Sequence, residues 1–169
     1  MPVTFKKGNV VSALIDGEID CLLHVCNNKG VMGSGIALEI KNRIPDAYQG
    51  YKSAQVANNM RLDLGSISFG WATNGGSVCN MVAQDGYGQR IKHLQYGALA
   101  ECLSRFHKGT NYKTVGIPYK MGAERAGGDW NIVLELVEYF LKDFNVTVYE
   151  LWGEIMLSLI VDNQKIDTN

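Results

Sequence analysis

The chain has 169 residues, of which 46% are hydrophobic and 20% charged, so it is long enough for one compact domain with a substantial core. The formal net charge of −1 provides no basic field, and we therefore expect neither general nucleic-acid binding nor attraction to a membrane surface. Any phosphate group must be bound by a local site. We predict a single domain over residues 1–169, with its core at about 3–151 and a tail at 152–169 that forms a strand or a short helix.

The four cysteines lie inside apolar runs, at Cys21, Cys26, Cys79 and Cys102. They have neither the paired close spacing of a zinc site nor the loop-rich surroundings of a disulfide framework, so we expect reduced core thiols. No apolar segment follows the N-terminal lysines, and the run "IMLSLIV" near the end is too short to span a bilayer. We expect a cytoplasmic protein with no metal site and no cofactor.

Strand and helix signals alternate along the chain, without internal repeats or an obvious linker. "DCLLHVC" (20–26) is the near-continuous apolar run of a strand covered on both faces. "SGIALEIKNRI" (34–44) has the apolar spacing of a helix, which Pro45 closes. "ISFGWAT" (67–73) and "SVCNMVAQ" (77–84), separated by "NGG", predict a hairpin.

The second half of the chain continues this alternation. "LQYGALAECLSRF" (94–106) predicts an amphipathic helix, and "TVGIPY" (114–119) predicts another buried strand. "DWNIVLELVEYFLKDF" (129–144) predicts a helix with Asp129 as its N-cap, and "VTVYEL" (146–151) a final strand. Because helices cross over between strands, the order predicts an α/β fold with three layers, α/β/α, around a central mixed and partly parallel sheet.

Two glycine-rich segments connect a buried strand to a helix, "NNKGVMGSGIA" and "PYKMGAERAGGDW". In open α/β sheets, ligands bind beyond the carboxyl ends of the strands, where unpaired N–H groups and helix N-termini attract anions. One such loop alone is as well explained by a tight turn. A pair favours a site that holds both ends of a diphosphate. The first loop lacks the lysine of a P-loop and a complete GxGxxG pattern, which disfavours a nucleoside triphosphatase or a Rossmann dehydrogenase.

The same residues carry a family resemblance. "DCLLHVCN" followed by "NKGVMGSGIA" resembles the signature of macro domains, the ADP-ribose-binding fold, and is most similar to the branch of ADP-ribose 1″-phosphate phosphatases and terminal ADP-ribose hydrolases. Further matches follow in family order through "RIPDAYQGY", "LGSI", "AQDGYG", "PYKMG", "AGGDW" and "VTVYEL". The resemblance covers roughly residues 3–151.

The resemblance implies a set of contacts to ADP-ribose. Asp20 would accept a hydrogen bond from the adenine amine, with Asn9 and Val10 beside the ring, although asparagine stands at position 9 where an acid is common. Asn27 would contact the distal ribose, because an amide both donates and accepts. Two loops would supply the remaining contacts, mostly by main-chain N–H groups to the diphosphate: Met32, Gly33, Ser34, Gly35 and Ile36 in the first, and Met121, Gly122, Ala123, Glu124, Arg125 and Ala126 in the second.

Two residues resemble catalytic positions of the phosphatase-like branch. A histidine within an apolar strand is more often a hydrogen-bonded core residue, but the resemblance of "HVCN" implies that His24 is a general acid or base. Asp129 is the second candidate. It is equally suited to capping the helix that follows it, and a carboxylate engaged in that way is not free to act as a base.

The second loop departs from the family pattern, because Glu124 places a carboxylate beside the expected diphosphate. It can turn outward, pair with Arg125, or act as a general base on a water molecule, and Arg125 can clamp phosphate. Hydrolases of this branch use a lysine and an aspartate. Here the neighbourhood of the lysine holds Gln84 and Asp85, and Ala126 stands where the aspartate would fall. These differences disfavour a covalent lysine mechanism. Lys120 is nearby in sequence but has the context of a structural residue.

Three functions follow from these observations. The first is a hydrolase that converts ADP-ribose 1″-phosphate to ADP-ribose and phosphate, with His24, Asn27, Asp129 and Glu124 as candidate catalytic residues. The second is removal of ADP-ribose from protein or nucleic acid, and the third is a non-catalytic module that recognises ADP-ribose. The partners are thus ADP-ribose or its 1″-phosphate, or ADP-ribosylated macromolecules. The small basic cluster at Arg90, Lys92 and His93 is typical of a solvated loop.

Overall fold

The computed structural model describes residues 2–88 and 92–151. The strands are β1 (Thr4–Lys7), β2 (Cys21–Asn27), β3 (Ile67–Trp71), β4 (Ser77–Gln84), β5 (Thr114–Pro118) and β6 (Asn145–Glu150). The helices are α1 (Val10–Ile15), α2 (Gly35–Arg43), α3 (Pro45–Ala57), α4 (Tyr96–Gly109) and α5 (Trp130–Phe140). None of the helices in this described part is long and apolar enough to cross a bilayer. The tail predicted at 152–169 and the residue Arg90 lie outside the described residues.

The strands form one mixed sheet of six strands in the order β1-β6-β5-β2-β4-β3. β2 pairs in parallel with both β4 and β5, and β6 pairs in parallel with both β5 and β1. Only the pairing of β3 with β4 is antiparallel within the described sheet, which confirms the predicted hairpin. The carboxyl ends of five strands therefore meet at one edge of the sheet, and the chain leaves this edge into a helix after β1, β2, β4 and β5.

Helices cover both faces of the sheet, as the apolar run of β2 predicts. On one face α4 and α5 pack through Leu103, Phe106, Val133 and Val137 against the strands. On the other face α1, α2 and α3 bury two smaller clusters, in which Tyr51 is fully enclosed. The predicted three-layer α/β/α architecture is thereby confirmed.

Four elements differ from the sequence prediction. The sequence does not predict β1 or α1, because β1 is short and exposed along its whole length and α1 spans only six residues. Pro45 does not simply close a helix: it is the first residue of α3, where its missing N–H costs nothing. α5 ends at Phe140, earlier than predicted, because Leu141 to Phe144 form a turn closed by a hydrogen bond from Phe144 N to Leu141 O of 3.0 Å.

The layer of α3 lies unusually close to the edge strand β3, and glycine makes this approach possible. A Cβ atom added to Gly70 would lie 2.4 Å from the Cα and the N of Ala47, well inside van der Waals contact. Gly50 faces the same strand, and a Cβ there would collide with the Phe69 carbonyl. Backbone contact of this kind cannot relax by a rotamer change, so the two glycines set the spacing of α3 on the sheet.

We expect Gly70→Ala to lower the free energy of unfolding by about 2 to 3 kcal/mol, because the methyl group overpacks a contact between two backbones. Urea unfolding followed by circular dichroism measures the effect. Gly97→Ala in α4 is the matched control, since nothing lies within 4 Å of its added Cβ, and it should be neutral or slightly stabilising. Equal stability of the Gly70 variant and the wild type would contradict this account of the layer spacing.

Candidate functional site

A cavity of about 650 Å³ lies across the carboxyl edge of the sheet, and we call it the edge cavity. Its walls come from the segments that follow β1, β2, β4, β5 and β6, and it crosses the sheet from α1 to the end of β4. Both glycine-rich loops line it. The predicted site residues that reach the cavity are Val10, Asn27, Gly33, Ser34, Gly35, Ile36, Met121, Gly122, Glu124, Arg125 and Ala126.

The first loop presents the N-terminus of α2 to the cavity. Ser34 is the N-cap, but its side chain makes no capping hydrogen bond, so the N–H groups of the first turn are not occupied by their own cap. Gly35, Ile36 and Ala37 of this turn all line the cavity. Gly35 has φ of +57°, a left-handed conformation that favours glycine. The combination of free N–H groups and the helix dipole makes this wall attractive to anions.

Asn27 ends β2 and holds the first loop in shape. Its Oδ1 accepts hydrogen bonds from Lys29 N at 2.9 Å, Val31 N at 3.3 Å and the Tyr51 hydroxyl at 3.0 Å, while its Nδ2 donates to Val31 O at 2.7 Å. The side-chain carbonyl of Asn27 is therefore fully engaged. One N–H of the amide remains, so Asn27 can donate to a ligand, whereas the accepting half of its predicted role is wrong.

The second loop follows β5 and faces the first across the cavity. A Cβ atom on Gly35 would lie 3.4 Å from Arg125 Nε, which shows that the side chain of Arg125 reaches the first loop. Gly122 has φ of +73° and Lys120 has φ of +57°. A lysine in this region is uncommon and is often found where function requires a strained backbone. Lys120, which the sequence context suggests is structural, lines the cavity.

The charged lining is evenly divided between acids and bases, with Glu39, Glu124, Lys120 and Arg125 in the walls. Glu124 and Arg125 are exposed, and no salt bridge joins them among the described residues. The predicted pairing of these two side chains is thus not formed. Cys26 also lines the cavity, but burial raises the pKa of its thiol well above the usual range, which leaves it a neutral part of the wall.

The predicted adenine contact of Asp20 is wrong. Asp20 precedes β2 at the amino edge of the sheet, where its Oδ2 accepts hydrogen bonds from Lys113 N and Thr114 N, both at 3.2 Å. It therefore joins the starts of β2 and β5. The seven residues of β2 separate it from Asn27 by roughly 20 Å, at about 3.3 Å per residue. The edge cavity lies at the other end of the strand.

His24 also does not reach the cavity. Its ring is fully buried between the sheet and α3, with Nε2 2.6 Å from Asn80 Oδ1. The amide nitrogen of Asn80 donates to Ala47 O at 3.0 Å and to Ser68 Oγ at 3.2 Å, so its oxygen accepts and His24 carries the proton on Nε2. Burial, opposed by the Asn80 bond, lowers the pKa of His24 to about 4. The predicted catalytic role is wrong, because this histidine is a neutral core residue.

The remaining predicted residues lie beside the cavity rather than in its walls. Asp129 is the N-cap of α5, as predicted, and its Oδ1 accepts from Asn131 N at 2.8 Å. That bond engages one oxygen of the carboxylate, and Asp129 is not part of the cavity lining, so its catalytic role stays a prediction. Met32 is buried in the cluster around Tyr51, and Ala123 is not part of the lining. Asn9 caps α1 next to Val10 and donates to Glu39.

Several lining residues were not identified from the sequence as site residues. They are Val25, Cys26, Val31, Ala37, Glu39, Gln84, Tyr87, Gly88, Pro118, Tyr119, Lys120, Tyr149 and Leu151. Most of them lie at the last positions of a parallel strand or just beyond it, a signal that the sequence does contain. Glu39 had no such signal, because it projects from the second turn of a helix.

Comparisons with known proteins agree with this geometry. No protein-family model matches the chain. A DNA ADP-ribosyl glycohydrolase of Mycobacterium tuberculosis is 25% identical over 151 residues, which are 87% of this chain and 42% of that protein. The chain spans less than half the length of the curated relatives it matches.

Two solved structures illustrate the likeness in three dimensions. The macrodomain of Thermus aquaticus DarG has a TM-score of 0.71 and 23% identity, and the match covers 88% of this chain and 98% of that one. Thermosipho africanus DarTG in complex with ADP-ribose has a TM-score of 0.68 and 18% identity, and the match covers 89% of this chain and 42% of that one.

We expect the stability of the protein to fall as the pH is lowered from about 6.5 towards 4. The pKa of His24 is about 4 when folded and about 6.5 when unfolded, so the unfolded chain binds the proton more readily. The stabilisation is complete above the unfolded pKa, and His24 should account for a loss of about 2 kcal/mol between pH 7.5 and 5.0. Urea unfolding of wild type and His24→Gln at both pH values measures it.

The His24→Gln variant should lose less stability over this pH interval than the wild type. Its ligand binding should be unchanged at neutral pH, because the ring does not reach the cavity. A histidine resonance that titrates near pH 6.5 in the folded protein and disappears in the variant would overturn this assignment.

Proposed function

Because the chain has the macrodomain fold, we propose that the edge cavity binds ADP-ribose and that the protein is a hydrolase acting at the distal ribose. The observation that carries the proposal is the meeting of two glycine-rich loops, with Gly35 and Arg125 in near contact across the cavity. The uncapped N–H groups at the start of α2 and the guanidinium of Arg125 together suit the two phosphates of a diphosphate. The complex of Thermosipho africanus DarTG with ADP-ribose supports the choice of ligand.

The diphosphate would lie between the loops, and protein groups would balance its negative charge without a metal ion. The N-terminus of α2 contributes main-chain donors and the positive end of the helix dipole. Lys120 and Arg125 contribute two cations to the opposite wall. Arg125 is suited to a bidentate contact, because its planar guanidinium matches two phosphate oxygens.

The two ends of the cavity differ in chemistry and so give the ligand a direction. Val10, Ile36 and Tyr149 form an apolar wall near α1, which suits a nucleobase. Asn27 and Gln84 lie at the end formed by β2 and β4, where amides suit the hydroxyls of the distal ribose. In this orientation the reacting C1″ atom points towards Tyr87, an exposed residue at the open end.

The leaving group at C1″ is proposed to belong to a macromolecule, namely the nucleobase of ADP-ribosylated DNA. Relatives that match 87% of the chain are DNA ADP-ribosyl glycohydrolases. The exposed aromatic ring of Tyr87 at the open end supports this choice, since a base can stack on it. A water molecule would attack C1″ as the glycosidic bond breaks. The leaving group departs with the bonding electrons and takes up a proton, and Glu124 accepts the proton released by the water.

A second candidate is the hydrolysis of ADP-ribose 1″-phosphate, in which water attacks phosphorus and the bond from phosphorus to the C1″ oxygen breaks. The sequence resemblance to the phosphatase-like branch favours it. The two residues that carried its mechanism, His24 and Asp129, have structural roles in the core and at a helix cap. Any phosphatase activity must therefore use the residues of the cavity wall, among which Glu124 is the free carboxylate on the second loop.

We expect the wild type to bind ADP-ribose in titration calorimetry, and Arg125→Gln to weaken the affinity roughly tenfold to a hundredfold. That range corresponds to the loss of a hydrogen bond to a charged group. Arg105→Gln is the matched control, because Arg105 lies on α4, outside the cavity, and makes a surface pair with Glu101. An Arg125 variant that binds as tightly as the wild type would place the diphosphate elsewhere.

We expect Glu124→Gln to reduce turnover by about a hundredfold or more, the usual contribution of a general base, while ADP-ribose binds equally well or more tightly. Release of ADP-ribose from ADP-ribosylated oligonucleotide and protein, and of phosphate from ADP-ribose 1″-phosphate, should be assayed in parallel. Glu135→Gln on the exposed face of α5 is the control. Unchanged turnover in the Glu124 variant excludes it as the base, and wild-type binding without release of either product would make the protein a reader of ADP-ribose.

A further inference from the structure

Glu39 is a carboxylate in the wall of the edge cavity that the diphosphate does not explain. It projects from α2 at the end where Val10, Ile36 and Tyr149 form an apolar surface. A carboxylate can only accept hydrogen bonds when it is ionised. A flat apolar group with at least one donor at its edge suits this end of the cavity.

Three residues hold the Glu39 carboxylate in place through a closed ring of hydrogen bonds. Asn9 Nδ2 donates to Glu39 Oε1 at 2.5 Å, and Arg43 Nη1 donates to the same oxygen at 3.2 Å. Arg43 Nη1 also donates to Ser12 Oγ at 3.0 Å, and Ser12 N donates to Asn9 Oδ1 at 2.9 Å. The ring ties the first turn of α1 to α2.

The ring leaves one oxygen of Glu39 available. Oε1 accepts two donors, whereas Oε2 receives only a second contact from Asn9 at 3.3 Å. Each carboxylate oxygen can accept about two hydrogen bonds, so Oε2 retains accepting capacity. Asn9 cannot replace it, because its own oxygen caps α1 and its nitrogen donates to Glu39.

We propose that Glu39 selects the nucleobase of the ligand, its Oε2 accepting a hydrogen bond from the exocyclic amine of adenine. This inference rests on the proposed binding of ADP-ribose in the edge cavity. Hypoxanthine has the shape of adenine but carries a carbonyl oxygen where adenine carries the amine. Two acceptors would then face each other, and the buried edge of the base would lose its partner.

The test is titration calorimetry of ADP-ribose and of inosine diphosphate ribose, its hypoxanthine counterpart, with three proteins. The wild type should bind ADP-ribose roughly tenfold to a hundredfold more tightly than the counterpart. In Glu39→Gln, Asn9 and Arg43 both donate and so hold the new amide by its oxygen, which turns the NH₂ group towards the base. That group is a donor, so it would face the donor amine of adenine but can donate to the carbonyl oxygen of hypoxanthine. This variant should therefore bind the counterpart more tightly than the wild type does. Its preference for ADP-ribose should vanish or reverse.

Glu101→Gln is the matched control, because Glu101 pairs with Arg105 at 2.7 Å with the same helical spacing as Glu39 and Arg43. It should keep the wild-type preference. Thermal unfolding of all three proteins checks that they are folded. A gain in binding of one ligand cannot result from damage to the fold, and the wild-type preference is measured without any variant.

The outcomes separate the two proposals. If the wild type binds neither compound, the proposed function fails and the role of Glu39 fails with it. If the wild type binds both compounds equally, or if Glu39→Gln keeps the adenine preference, ADP-ribose binding stands and the selection by Glu39 is overturned.

Discussion

The parallel pairing of β2 with β4 and β5, and of β5 with β6, is the constraint on which the rest of the site depends. It brings the carboxyl ends of these strands to one edge, where the chain must turn away and leave main-chain groups without sheet partners. Glycines in left-handed conformations, such as Gly35 and Gly122, allow the turns to be tight enough for two loops to face each other. The anion-binding character of the cavity therefore arises from topology and backbone, before any charged side chain is considered.

Charged side chains divide this backbone frame into regions with different tasks. Lys120 and Arg125 lie in the wall formed by the second loop. Glu124 lies between them in the sequence and also lines the cavity. Glu39 is at the end of the cavity near α1, where three neighbouring groups fix its orientation. The two glutamates are chemically identical, yet one is held by donors and the other has no salt bridge among the described residues. Their surroundings suit the first to recognition and the second to proton transfer.

The sequence predicts the three layers, the hairpin and both ligand loops, because long apolar runs and glycine clusters are strong local signals. It does not predict β1, which has no buried face, or α1, which is too short to show a period. The errors at Asp20 and His24 have a different origin. Whether a side chain reaches the cavity depends on the end and the face of the strand from which it projects. For Asp20 the sequence contains this information, since a residue seven positions before Asn27 must lie at the opposite end of a seven-residue strand.

Two of the candidate catalytic residues have structural roles in this fold. His24 supports the buried hydrogen bonds of Asn80, and Asp129 caps α5, so each has a structural reason to be present in this protein. Lys120 is the contrary case. Its left-handed backbone carries a cost of order 1 kcal/mol or more, and its side chain faces the cavity without belonging to the core. Residues that the fold does not need, and that are strained or unpaired in the wall, are therefore the better guide to the chemistry of this site.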